Sequence, residues 1–448
     1  MNRRGLALLT LTGSLGVLAL SACDPCADVV ARIEALGAGE TYVVPDGCVI
    51  TSPVTVPAGA TVEGGTFELD DASVTLAPSS DSARPTVLEG ATLRGGSAST
   101  PLVVARGAGF VAIRSSTFTT DRGIAFGVSG AEAELTTVDI VGNLDLARAS
   151  EVPFPIDPAT LATYGVTAIE GGTIRAEGLT VRRVAAGGLV CSSASLMIDG
   201  ATLSESVGLG IWADDCDARL DRVEIFDLIA APVRPGIGIA ARASTLASDG
   251  LYAHDSPGYA IVSQSSDVTL DSPRVERLRQ SGVWVESGSS LVIASGTFDA
   301  NGGAAIAAVG AARLEVRETM VTNTAMAPIP TADGTSLERI GDGIHVAQLA
   351  GQDTQVTLTD VTLVENARVG AVLDGYMRGL PITLTAVRAE TSGTELGVIA
   401  QNITGLPAGW DASVTRVGSA ATLDASAGAL LVSPGGLTGI LMPPTLVF

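Results

Sequence analysis

The sequence predicts an all-β repeat solenoid of short strands stacked turn upon turn. Three observations carry this. First, the 448 residues are 46% hydrophobic and only 17% charged, with 53 Gly. That leaves ample apolar surface to bury, and far too much Gly and β-branched residue for a coiled coil. Second, a Gly followed by an aliphatic or small residue recurs at Gly123-Ile124, Gly165-Val166, Gly188-Leu189, Gly210-Ile211, Gly236-Ile237, Gly258-Tyr259, Gly282-Val283, Gly303-Ala304, Gly343-Ile344, Gly370-Ala371 and Gly397-Val398. Eight of the ten successive spacings lie between 21 and 27, and the other two, 42 and 40, read as single turns carrying insertions. Third, period-two stretches such as Ser290-Leu291-Val292-Ile293 and Gln355-Val356-Thr357-Leu358 lie between the Gly marks, as expected of strands with one buried face.

Taken in order, the chain opens with Arg3 and Arg4, an apolar run from Leu6 to Leu20, and Leu20-Ser21-Ala22-Cys23. The run is shorter than the roughly 20 residues that span a bilayer. This pattern resembles the bacterial lipobox, which implies a signal peptide at 1–22 and lipidation of Cys23. Several acyl chains on one cysteine anchor stably, so the expectation is a membrane-anchored lipoprotein outside the cytoplasm, in the outer membrane, the periplasm or at the cell surface. Removing 1–22 takes two Arg and no acid, so the charge moves from −22 to −24. A surface this acidic, with Arg as its only strong base, excludes nucleic acid and lysine-based chemistry. The remaining cysteines, Cys26, Cys48, Cys191 and Cys216, permit two bridges in an oxidising compartment. Cys26–Cys48 would tie the start of the body to its first strands. Cys191–Cys216 stands against the register, which stacks Cys191 on Ala213, and would need the turn to fold back.

Ala27 to Leu36 reads as a short amphipathic helix with Val29, Val30 and Ile33 apolar. The repeat from 42 to 403 resembles the right-handed parallel β-helix of pectate-lyase-like proteins. That resemblance implies a helix capping the N-terminal end within 23–41 and a continuous aliphatic core. Asn143, Asn301, Asn323 and Asn366 each precede a Gly mark at a similar stage, either as a stacked ladder or as turn formers. Residues 404–448 show no clear register and read as C-terminal turns, a cap or a tail.

Alternation from each Gly mark gives an outward column of Ala125, Thr167, Val190, Trp212, Gly238, Ala260, Trp284, Ala305, His345, Val372 and Ile399. Trp212 and Trp284 in it suggest a sugar-stacking shelf, the alternative being tryptophans packed under loops. The insertions near 144–162, 231–235 and 324–339 all follow the same turn and should emerge from one edge. Catalytic candidates are thin. Asp214-Asp215-Cys216 resembles an element of polygalacturonase-like glycosidases, but that family's other motifs are missing. A calcium-assisted lyase would want Asp214, Asp215 and Asp217 gathered with Arg219 or Arg242. His345 with Asp342 and His254 with Asp255 are the histidine–carboxylate neighbours, too dispersed for a metal site. Arg274, Arg277 and Arg279 form a small basic patch that fits an acidic glycan or a solvated turn. The leading expectation is a non-enzymatic, lipid-anchored protein that binds glycan or another envelope component or is structural. The alternative is a carbohydrate-active lyase or glycosidase. No cofactor is expected.

Overall fold

The computed structural model describes residues 25–152, 159–231, 235–330, 337–393, 396–425, 431, 433, 434 and 437. Over these the chain winds into an all-β parallel solenoid of about 15 turns. Each full turn contributes a strand segment to three faces, and each segment pairs in parallel with the same segment one turn later. On the first face the inward residues Ile174, Leu196, Ala218, Leu246, Val268, Leu291, Leu314 and Val356 stack in register. On the third face Leu189, Ile211, Ile239, Ile261, Val283, Ile306, Ile344, Ala371 and Val398 do the same. These columns join one continuous aliphatic core. Stacking supplies what one turn lacks, since its inner face and its backbone groups find partners only in the next.

The corners are columns of left-handed residues. Thr137, Gly178, Gly200, Arg222, Gly250 and Ser272 turn the chain from face one to face two. Arg183, Glu205, Asp227, Asp255, Arg277, Ala300 and Asn323 turn it to face three, and Ser193, Asp215, Ala243 and Ser265 return it to face one. Residues other than Gly hold this conformation because the stack above and below fixes it. The residue after the third corner points inward, where its side chain caps a neighbouring turn. Cys216 N donates to Ser244 Oγ (3.0 Å), Ser244 N to Ser266 Oγ (3.1 Å) and Ser266 N to Ser289 Oγ (3.2 Å).

That corner explains the second disulfide. Cys191 does stack on Ala213, yet Cys216, turned inward by left-handed Asp215, brings its Cα to 6.0 Å from that of Cys191, and the two are bridged. Cys26 and Cys48 are bridged as well, with a Cα separation of 5.2 Å. The helix Val29–Glu34 buries Val29 and Ile33 in the core, and Glu34 accepts the Thr55 N–H at 3.2 Å.

The Gly register needs correction at four turns. The ladders align Ala125, Gly165, Gly188, Gly210, Gly238, Ala260, Gly282, Ala305, Gly343, Gly370 and Gly397 in one column. Gly238, Ala260, Ala305 and Ala125 are therefore not outward. The three alanines belong to the inner core. Two successive residues face inward here, so strict alternation fails. Space is the reason for the glycines: a Cβ on Gly370 would meet the Gly397 carbonyl oxygen at 2.4 Å, and one on Gly210 that of Gly238 at 2.5 Å. Nor do the asparagines form a ladder. Asn301 and Asn366 are separated by Thr324 in their stack, and each caps the backbone of the turn before it. Asn323 instead sits at the left-handed corner, bonded to Asp299.

Candidate functional site

The true outward column of face three runs Gly127, Thr167, Val190, Trp212, Ala240, Val262, Trp284, Ala307, His345, Val372 and Ile399. The column two residues further along carries Asp214, Arg242, Gln264, Glu286, Val309, Ala347, Asp374 and Gln401. Together they make a long aromatic and polar strip. It is not open to solvent: Trp212 is 1% exposed and Trp284 0%. Both sit in a second apolar cluster with Tyr259, Ile329, Ile340 and Leu437. The covering pieces are the hairpin made by Ala327–Pro330 against Leu337–Ile340 and C-terminal residues folded back over the face. The sugar-stacking shelf expected at Trp212 and Trp284 is thus closed, since both rings are buried in one cluster that includes Ile329, Ile340 and Leu437.

Among the described residues, two of the three insertions share an edge. Leu144, Ala149 and Val152 of the first pack with Ala185, Val207, Ile229 and Ala231 into one small cluster, beside the corner between faces two and three.

Within the strip, His345 and Asp342 are fully buried and joined, His345 Nδ1 to Asp342 Oδ2, at 2.6 Å. Arg368 donates from Nε to Asp342 Oδ1 at 2.7 Å and from a terminal nitrogen to Oδ2. Burial pushes the Asp342 carboxyl up, but the Arg368 guanidinium and His345 outweigh it and hold the group below the usual carboxylate range. On its other side His345 Nε2 lies 3.3 Å from Ser433 Oγ. By residue type this is a Ser–His–Asp relay. The Ser433 hydroxyl, however, donates to Asp374 Oδ2 in its closer contact, so its hydrogen is directed away from His345. A nucleophile poised for deprotonation would direct it toward the base. Asp374 also accepts from Gln401 Nε2 at 2.8 Å. Glu286, 2% exposed, accepts from Gln264 (2.7 Å), the Trp284 indole (3.4 Å) and the Leu437 N–H (2.9 Å). Tyr259 meets the Trp284 ring edge-on at 6.2 Å, and burial followed by the Glu286 charge raises its phenol well above the ordinary value.

The other candidates are dispersed. Asp214 forms a bidentate pair with Arg242 (2.8 and 2.6 Å), whose guanidinium lies 6.0 Å from the Trp212 ring centre. Asp215, at the left-handed corner, accepts from Ser193 Oγ at 2.9 Å. Neighbours in sequence, the two acids serve different partners and make no catalytic pair. Of the two arginines offered for a lyase constellation, Arg242 is paired with Asp214 and Arg219 with Asp221, so they serve different acids. Among the described residues no group of three or more His, Cys, Asp or Glu could hold a metal ion. Two arginines of the basic patch are neutralised. Arg274 bonds Glu276 and lies 4.8 Å over the Tyr252 ring, and Arg277 grips Asp255 and Glu276. Arg277, then His254, hold Asp255 far below its ordinary range. His254 itself stacks on Phe226 and Tyr252, bonded to Asp255 and Glu224.

Sequence reasoning paired His345 with Asp342 but missed Arg368, Glu286, Asp374, Gln401 and Ser433. Arg368 and Asp374 lie on either side of the strand residue stacked on His345, a signal visible only once the register is set. Ser433 comes from a tail with no repeat to align. Cys23 and the rest of the signal-like segment lie outside the described residues.

Residues 186–387 match the family model described as the right handed beta helix region, and the fold is a right-handed parallel β-helix. The sequence matches none of the curated proteins compared with it. Among solved structures the chain is similar to the periplasmic alginate epimerase AlgG, at 12% identity over 89% of this chain and 82% of that one, with a TM-score of 0.46. It is similar to the A-module of a mannuronan C-5 epimerase from Azotobacter vinelandii, at 13% over 80% and 91%, with a TM-score of 0.40. A third similarity is to the catalytic domain of an alpha-1,3-glucanase in complex with tetrasaccharides, at 10% over 94% and 71%, with a TM-score of 0.41. Those three are carbohydrate-active proteins. At these identities and scores no residue role passes from them to this chain.

Proposed function

We propose that this is an extracytoplasmic, lipid-anchored β-helix without catalytic activity, which binds glycan or another envelope component or serves as structural matter. One observation carries the reading: the face that holds the tryptophans is buried under other parts of the chain, and its acids Glu286, Asp342 and Asp374 are each bonded to partners within the chain. Glycoside chemistry wants two carboxylates facing one open substrate position, and the acids described on this face are not so arranged. Two disulfides fit an oxidising compartment. Among the described residues no helix is long and apolar enough to cross a membrane, and attachment is assigned to acylated Cys23. The helix Val29–Glu34 serves as the N-terminal cap. The reading needs no cofactor.

A second reading, a carbohydrate-active enzyme, draws on the Asp342–His345 pair, with His345 two turns from Trp284 in the same outward column. Incubation of the purified protein with a polysaccharide panel, scored for both binding and cleavage, separates the two. Binding without products is expected. Products that vanish in His345→Ala would establish the enzyme instead.

A further inference from the structure

The inward columns of face three change character at the C-terminal end of the stack. One column runs Ile344, Ala371, Val398 and the next Val346, Leu373, Ala400, all within the aliphatic core. The strand Thr422–Ala425 then sets Thr422 above Val398 and Asp424 above Ala400. Polar side chains thus take the two positions that are apolar in the turns beneath. On face one the chain stops adding strands after Ile382–Thr385, and residues 404–413 cross above it. Leu406 and Trp410 of that crossing pack against the core. Its path is held by the Trp410 N–H on the Pro407 carbonyl (3.2 Å), the Ala412 N–H on that of Gly409 (2.9 Å) and the Ser413 hydroxyl on that of Leu384.

An open cavity of about 470 Å³ lies here, lined by Leu406, Trp410 and Asp411 of the crossing and by Thr422 and Asp424 of the last strand. That volume is in the range of small-ligand sites. Trp410 is half-buried and Asp424 exposed, so a solute reaches both. Asp411 Oδ2 accepts from the Thr422 hydroxyl at 2.7 Å and from Arg416. The Thr422 bond leads in holding the Asp411 carboxyl below its ordinary range, so it is ionised at neutral pH. Among the described residues lining the cavity there are two acids and no basic side chain, which disfavours a uronate. A tryptophan beside carboxylates favours a ring with an apolar face and a positive charge. We infer that this mouth of the solenoid is a glycan subsite and that it takes an amino-bearing pyranose, such as a glucosamine unit, against Trp410. The inference rests on the glycan-binding reading above and adds to it a place and a sugar class.

Titration calorimetry on the full-length protein tests it, with a glucosamine tetramer, its N-acetylated counterpart and a mannuronate tetramer as probes. The free-amine tetramer should bind at least tenfold tighter than either of the others. Trp212 and Trp284 are buried, so binding should also change the native fluorescence, and that change should be lost in Trp410→Phe. Asp424→Asn and Trp410→Ala should each weaken binding at least tenfold. Equal binding of the acetylated tetramer, or tighter binding of the mannuronate tetramer, would overturn the inference. Binding of any glycan that survives both Trp410→Ala and Asp424→Asn would overturn the subsite and leave the glycan reading standing. A polysaccharide panel with no binding at all would end that reading and the subsite together. The wild-type comparison of the three probes, and Asp424→Asn at an exposed position, decide the matter even where Trp410→Ala fails to fold.

Discussion

Replacing Asp342 with Asn tests the buried ion pair at the heart of face three. The carboxylate is fully buried and accepts from Arg368 through both oxygens and from His345. An amide keeps one acceptor oxygen and turns an N–H₂ toward groups that are themselves donors. Removing one member of a buried pair costs about 3–5 kcal/mol. The Arg368 side chain is 14% exposed and can recover some hydration, which favours the lower end, about 3 kcal/mol. At about 1.4 kcal/mol per factor of ten, amides of the turns holding 342 and 368 should exchange roughly 100-fold faster in Asp342→Asn. Distant turns should change far less, because a solenoid couples chiefly to its neighbours. The pH dependence follows from the depressed acid. Its contribution is complete above the ordinary value of about 3.8 and is lost as pH falls through the lower folded value. The gap between wild type and variant should therefore be widest at neutral pH and shrink in acid below about pH 4. Exchange altered less than threefold, or a gap that widens in acid, would refute the argument.

Gly370→Val should cost about 1–3 kcal/mol by overpacking, since its Cβ lands 2.4 Å from the Gly397 carbonyl oxygen; a lowered urea midpoint checks this. Ala260→Gly, in the same column but already holding a Cβ, should cost only about 0.5–1 kcal/mol. Replacing Cys191 and Cys216 together by Ala opens a 25-residue loop and should cost roughly 3.5 kcal/mol on the chain-entropy estimate, read as the difference in unfolding midpoint from the oxidised protein. Arg277→Met should restore Asp255 toward an ordinary carboxyl titration, observable by NMR, because Arg277 is the leading cause of its depression.

Most of the winding was legible because a stacked turn repeats its steric demands. Gly165, Gly188, Gly210, Gly282, Gly343, Gly370 and Gly397 mark one crowded column. The marks slipped by two where Ala125, Ala260 and Ala305 occupy that column and a nearby Gly drew the alignment, and at 236–238, where two glycines compete. The bulge that points two residues inward has no period-two signature, so the outward assignment failed there while Trp212, Trp284 and His345 were placed correctly. What covers them was not legible. The hairpin and the tail are single-copy features, and no periodicity reveals which face a non-repeating segment will lie on. The second disulfide escaped the register argument for a related reason: a corner residue in the left-handed region redirects Cys216 inward, a three-dimensional effect that pairwise stacking does not express.

The account stands on face three being closed by the chain itself. The protein has three tryptophans. Trp212 and Trp284 are buried, and Trp410, only partly buried, is at the far end of the stack. Acrylamide quenching of native fluorescence in the Trp410→Phe variant measures the closure directly. Quenching should fall to near nothing, as for indoles sealed from solvent. Strong residual quenching in the folded variant would mean an open strip, and would return the tryptophans to the role of an exposed shelf.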